Sequence, residues 1–192
     1  MLMVKKSSQS VKINRSTVDQ VVSWAGLCIA VGLVLAAIAL AWTHTFIHGQ
    51  VSDQLSSQKI FFPEKDSAAF KALDTGDQEA IEPFAGQQLA TGAGAEVFAN
   101  HYIAAHIQSI GGGKTYSELS NISRENPDDK AAAAKVDTVF KGETLRGTLL
   151  NAYAFDTMAF VAQLASYGAA ILAAILFFLS FLGFRHAKKV SK

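Results

Sequence analysis

His44 and His48 are four residues apart. On a helix, imidazoles at that spacing share one face and can share a metal ion. No Glu follows the first His, as the zinc-protease signature requires, and no third ligand is near in sequence. They read instead as polar aromatic residues at an interface, and as metal ligands they are weak candidates. His101 and His106 are five apart and diverge around a helix, as do Glu96 and His101. A composite site from His44, His48, His101 and His106 requires the middle of the chain to fold down onto the end of the first apolar run. No metal or other cofactor is expected.

Other reactive-looking patterns resolve the same way. Ile110-Gly111-Gly112-Gly113-Lys114-Thr115 is phosphate-loop-like, but the motif needs a glycine where Gln108 stands. Three glycines read better as a helix end. Ser, His and Asp all occur in the middle of the chain without a nucleophile-elbow sequence. The acids Asp74, Asp77, Glu79 and Glu82 lack calcium-loop spacing and read as a solvated surface. Asn121-Ile122-Ser123 fits a glycosylation acceptor. Asp156 adjoins an apolar run and is expected to be a solvated boundary residue. Cys28, the sole cysteine, is expected to be a packing residue. No catalytic residue emerges, and the expectation is that the protein is not an enzyme.

The elements that would position these groups are dominated by two apolar runs, Val21 to Ile47 and Thr157 to Phe184. Neither holds an Asp, Glu, Lys or Arg. Each exceeds the roughly 20 residues that cross a bilayer core as a helix. The first is too long for a cleaved signal core and reads as an uncleaved anchor. Charge is segregated around the runs. Lys5, Lys6, Lys12 and Arg15 lie before the first, and Arg185, Lys188 and Lys189 after the second. Residues 48–150 hold 14 acids and 9 bases. Basic flanks mark the cytoplasmic side, so both termini are expected inside and the centre outside. The expected organisation is a cytoplasmic basic tail at 1–20, transmembrane helices at 21–47 and 153–184, an extracytoplasmic helical domain at 48–152, and a second basic tail at 185–192. Such basic tails can also bind nucleic acid, but flanking apolar runs they are read as orienting signals, with no nucleic-acid partner.

Local signals give an all-α fold, a two-helix transmembrane hairpin carrying a small extracytoplasmic helical domain. Ser16 or Thr17 is placed to cap the first helix, with Asp19 favouring its positive end. That helix is expected to continue to about Lys59 and stop before Phe61-Phe62-Pro63. Asp74-Thr75-Gly76-Asp77 reads as a turn, and residues 78–95 as irregular. A helix is expected over Ala95–Ile110, with Val97, Phe98, Tyr102, Ala105 and Ile110 as its apolar stripe. Thr115 and Glu118 fit a capping box. Asn126 is placed as the cap of one long helix running into the second span, bent near Gly142 or Gly147, with Val136, Val139, Phe140 and Leu145 on its apolar side. Small residues spaced by four, Cys28, Gly32 and Ala36 in the first run and Ala162, Ser166, Ala170 and Ala174 in the second, are expected to close the hairpin in lipid, or alternatively to face a partner helix.

Several segments resemble a family. Val51-Ser52-Asp53-Gln54-Leu55 with Phe62-Pro63, Gly112-Gly113-Lys114-Thr115-Tyr116-Ser117-Glu118-Leu119, and Phe140-Lys141-Gly142-Glu143-Thr144-Leu145-Arg146-Gly147 are similar to segments of small actinobacterial two-helix membrane proteins of unknown function. The resemblance spans about residues 20–185. It implies a Gram-positive, high-GC host and a cell-envelope setting. Some members carry a ring-opening dioxygenase label, but no iron-binding His/carboxylate triad occurs here. The expected role is an accessory or scaffold subunit of a plasma-membrane complex. Its partners would be the lipid bilayer and other membrane subunits or further copies of itself. The alternative is an extracytoplasmic small-ligand or metal sensor.

Overall fold

The computed structural model of the protein describes residues 15–190 and is all-helical there, with no strand. Lys5, Lys6 and Lys12, expected to orient the chain, lie outside the described residues. Two helices dominate: α1 (Arg15–Ser57) and α7 (Lys130–Val190). Between them run α2 (Ala68–Lys71), α3 (Thr75–Ile81), α4 (Gly92–Val97), α5 (Ala104–Gly111) and α6 (Tyr116–Glu125). A 3₁₀ turn, Glu82–Phe84, follows α3, and a π-helical turn, Phe98–Ile103, joins α4 to α5. The chain forms two compact units. One combines α1 up to Ala41 with α7 from Gln163 onward; the other is Trp42–Ala162.

In the first unit α1 and α7 run antiparallel. Ser16 Oγ donates to Ala187 O at 3.2 Å, and Ser166 Oγ donates to Ala37 O at 2.8 Å. Their seam repeats every seven residues: Ser16, Ser23, Ala30 and Ala37 on α1, and Ser166, Ala173, Ser180 and Ala187 on α7, all buried. That period keeps one face of each helix against the other. Every residue in it is Ser or Ala, so the backbones approach closely and van der Waals contact holds the pair. A Cβ added at Gly26 would fall 2.6 Å from Ser180 Oγ, and one at Gly183 would collide with Ser23 Oγ.

The seam therefore differs from the four-residue stripes expected. Ser166 lies in it and Ala162, in the other unit, is half-buried, but Cys28, Gly32, Ala36, Ala170 and Ala174 face outward. Ser16 and Thr17 lie within α1 rather than capping it, and Asp19 Oδ2 is 2.8 Å from His186 Nδ1. Away from the seam the helices present large apolar side chains: Val21, Leu35, Ile38, Ile171 and Phe178 are each more than 60% exposed. Only 17% of the most apolar window of α1 and 11% of that of α7 is buried. Both are long and apolar enough to cross a membrane.

The second unit packs the lower-hydropathy segments around two cores. Val51, Leu55, Phe62, Phe70, Leu73, Ile81, Leu89, Phe98 and Leu149 form the larger one; Ile107, Leu119 and Val139 form the smaller. α1 ends at Ser57, and Lys59 takes a left-handed conformation (φ 55°) as the chain turns. The returning segment pairs briefly, with Phe62 N donating to Gln87 O and Leu89 N to Ile60 O, both at 2.9 Å. Asp74-Thr75-Gly76-Asp77 is not a free turn: it opens α3, with Asp74 at the N-cap position. Glycines 92 and 94, expected to break regularity, sit inside α4, which Thr91 caps by accepting from Gly94 N at 3.1 Å. The π-helical turn widens the helix by one residue per turn. It rotates the buried face of α5, so Ile107 and Gly111 are buried where Ile110 was expected, and Ile110 is exposed. Asn126 closes α6 instead of opening α7; Asp129 does that, its Oδ1 accepting from Ala131 N and Ala132 N. On α7 the inward residue is Val139, with Val136 and Leu145 half-buried and Phe140 exposed against Tyr116, ring centroids 5.5 Å apart.

Candidate functional site

Within the second unit, polar side chains converge on Asp156. Its Oδ1 is 2.6 Å from His48 Nδ1, and its Oδ2 accepts from Gly92 N at 3.2 Å. The carboxylate thus binds α7 to α1 and to the first turn of α4. Its side chain is 18% exposed, so it is not the solvated boundary residue the sequence implied. Glycine at 92 is what admits it: a Cβ there would meet three Asp156 side-chain atoms, Oδ2 at 2.6 Å among them. One turn away, His44 Nδ1 lies 3.0 Å from Ala159 O, and the His44 and His48 rings stack with centroids 5.6 Å apart. Each imidazole thereby has its Nδ1 committed to α7.

His101 and His106 are held separately. His101, in the π-helical turn, has Nδ1 2.8 Å from Asp77 Oδ1 and ties that turn to α3. His106 Nδ1 is 2.8 Å from Tyr102 O in its own helix. Glu96 does not pair with His101: it accepts from Asn100 Nδ2 at 2.8 Å, and Asn100 Oδ1 accepts from Arg146 Nη2 at 3.2 Å. That chain docks the π-helical turn on α7. Among the described residues, no group of three or more His, Cys, Asp or Glu side chains is placed to hold a metal ion.

The glycine run acts as a helix end. Gly112 is left-handed (φ 61°), Gly112 N donates to Ser109 O at 3.2 Å, and Gly113 N to Gln108 O at 2.9 Å. These amides point back into α5, so they form no phosphate cradle. Thr115 and Glu118 make the full capping box at the start of α6. The two Thr115 hydrogen bonds hold the Glu118 carboxyl below its ordinary 4.5, a small desolvation opposes them, and Lys114 adds a further downward pull.

Of the remaining residues expected to orient the chain, Arg15 is exposed in the first turn of α1, and Arg185, Lys188 and Lys189 are exposed near the end of α7. Arg185 lies over the Phe181 ring, 5.8 Å from its centroid. The Asp156 clamp escaped sequence reasoning because its members are remote along the chain. The available signal was Thr91-Gly92 preceding an apolar stretch, together with a single acid beside an otherwise uncharged run. Comparison with protein-family models, with curated proteins and with solved structures finds no match to this chain.

Proposed function

We propose that this is an integral membrane protein: α1 and α7 cross the bilayer as an antiparallel pair, and the unit Trp42–Ala162 stands outside the cytoplasm. The observation that carries the reading is the exposed surface of the two helices, large apolar side chains from Val21 to Ile38 and from Leu164 to Leu182 with no Asp, Glu, Lys or Arg between. Hydrocarbon is the solvent that such a surface favours. The basic residues before α1 and at the end of α7 favour both termini inside.

Its role is that of an accessory or scaffold subunit, a plasma-membrane protein that binds other membrane subunits or further copies of itself. The outward face supports this. Cys28, Gly32 and Ala36 are exposed on α1, and a Cβ at Gly32 would meet nothing within 4 Å. A third helix fits against such a face at close range. The clamps of the second unit bind its own elements to one another, which suits a rigid part. Extraction of native membranes with mild detergent, affinity capture and mass spectrometry tests the role: a defined larger complex is expected, and recovery only as a free monomer overturns it. Alkaline carbonate tests the embedding, since release into the wash would show a peripheral protein. Protease added to spheroplasts should cut within 48–152 and spare both termini.

A further inference from the structure

The geometry points to a binding site for an anionic phospholipid at the basic end of the helix pair, with the phosphate on Arg185 and Lys188 and the acyl chain against Trp24, Phe181 and Phe184. The site is an open-sided cleft of about 350 Å³ lined by those five residues. Phe181, Phe184, Arg185 and Lys188 follow one another at helical spacing and share one face of α7. Trp24 closes the cleft from α1, its ring edge-on to Phe184 with centroids 5.5 Å apart. The lining changes character along the helix. It is aromatic where α7 leaves its apolar stretch and cationic one to two turns later, toward the chain end. A phospholipid has the same order, hydrocarbon then phosphate.

The charge is available to a ligand. Among the described residues neither Arg185 nor Lys188 has a carboxylate partner within ion-pair distance, and Asp19, the acid in the first turns of α1, is engaged by His186 at 2.8 Å. No acid lines the cleft. Arg185 lies over Phe181, which fixes its guanidinium beside the apolar wall instead of free in solvent. Guanidinium and ammonium together suit a singly charged phosphodiester.

This inference rests on the membrane-embedded reading, and the test separates the two. Only Trp24 and Trp42 are tryptophans. The full chain carrying Trp42→Phe leaves Trp24 as the sole reporter. It is reconstituted into phosphatidylcholine vesicles containing a small, equal fraction of either brominated phosphatidylglycerol or brominated phosphatidylcholine, and Trp24 quenching is compared. Phosphatidylglycerol is expected to be preferred roughly fivefold or more, the scale of one to two basic contacts with an anionic headgroup. Arg185→Gln with Lys188→Gln should abolish the preference, while the charge-keeping pair Arg185→Lys and Lys188→Arg should retain it. Lys5→Gln with Lys6→Gln removes equal charge elsewhere and should leave it unchanged. Equal quenching by both lipids overturns the site while the embedding stands. Quenching by neither overturns the embedding and the site with it. Loss of preference in the Lys5/Lys6 variant shows diffuse attraction and overturns the cleft. Reversal by excess soluble glycerol phosphate shows a site for free phosphate and overturns the lipid assignment.

Discussion

Gly92 and Asp156 are in contact across 64 residues of chain, the Gly92 amide donating to Asp156 Oδ2 at 3.2 Å. The contact exists because position 92 has no side chain. Gly92→Ala should therefore lower the thermal midpoint of the second unit, at a cost of about 1–3 kcal/mol for overpacking. Gly76→Ala is the control with opposite sign. Its Cβ would meet nothing, it lies in α3, and alanine there should stabilise by about 0.5–1 kcal/mol. Equal melting of the two variants in detergent would show that Asp156 does not bind α4.

Gly142 allows a second close approach. A Cβ there would fall 2.7 and 2.9 Å from Ile107 Cγ1 and Cδ1. Ile107 is β-branched, buried and stiff about its first torsion, so it cannot easily turn aside. Gly142→Ala should cost about 1–2 kcal/mol in the wild-type background. In an Ile107→Ala background the same change should cost nothing, which gives a coupling energy of similar size in a double-mutant cycle. Additive effects would mean that α5 does not rest on α7 at this point.

What the sequence disclosed, and what it hid, follows from the range of the physics. The Thr115–Glu118 box and the glycine cap at Gly112 were legible because caps are settled within three or four residues. Two long apolar helices were legible because a run without charge has few alternatives. The seam between α1 and α7 follows a different spacing from the four-residue stripes, sharing only Ser166 with them. Alanine is so common in both runs that spacing by four fell mostly on an outward face. The discriminating pattern was stricter: Ser or Ala at every seventh position from Ser16 to Ala37, and again from Ser166 to Ala187. The shift from Ile110 to Ile107 was hidden because no local residue type announces a π-helical turn. Asn126-Pro127 carried a convincing helix start, yet Asp129 accepts from two amides and won the position.

The seam makes its own prediction. Ala30 and Ala173 are essentially without exposure. Leucine at either should force the helices apart and lower the midpoint of detergent-solubilised protein by the equivalent of about 1–3 kcal/mol. Ala36→Leu, one residue from the seam, should change it by less than about 0.5 kcal/mol. The same substitution should weaken co-isolation of partners if the outward face of α1 holds another helix. A fold damaged more by Ala36→Leu than by Ala30→Leu would place the seam on the wrong side of α1.

Glu118 sets a pH dependence whose direction is fixed by its bonds. Thr115 N and Thr115 Oγ donate to Glu118 Oε2 at 2.7 and 2.8 Å, and both contacts favour the charged carboxylate. Its folded value therefore lies below 4.5, while in the unfolded chain the carboxyl titrates at about that ordinary value. The contribution to α6 is complete above the ordinary value. It declines as pH falls below it and is gone once the pH has passed through the folded value, because protonation then costs the folded and unfolded states alike. Hydrogen exchange at the amides of Glu118 and Leu119 should accelerate across that acid range relative to the intrinsic rate. Glu118→Gln should remove the acid dependence and leave α6 less protected at neutral pH. An exchange profile flat in wild type and identical in the variant would mean that the box does not hold the start of α6.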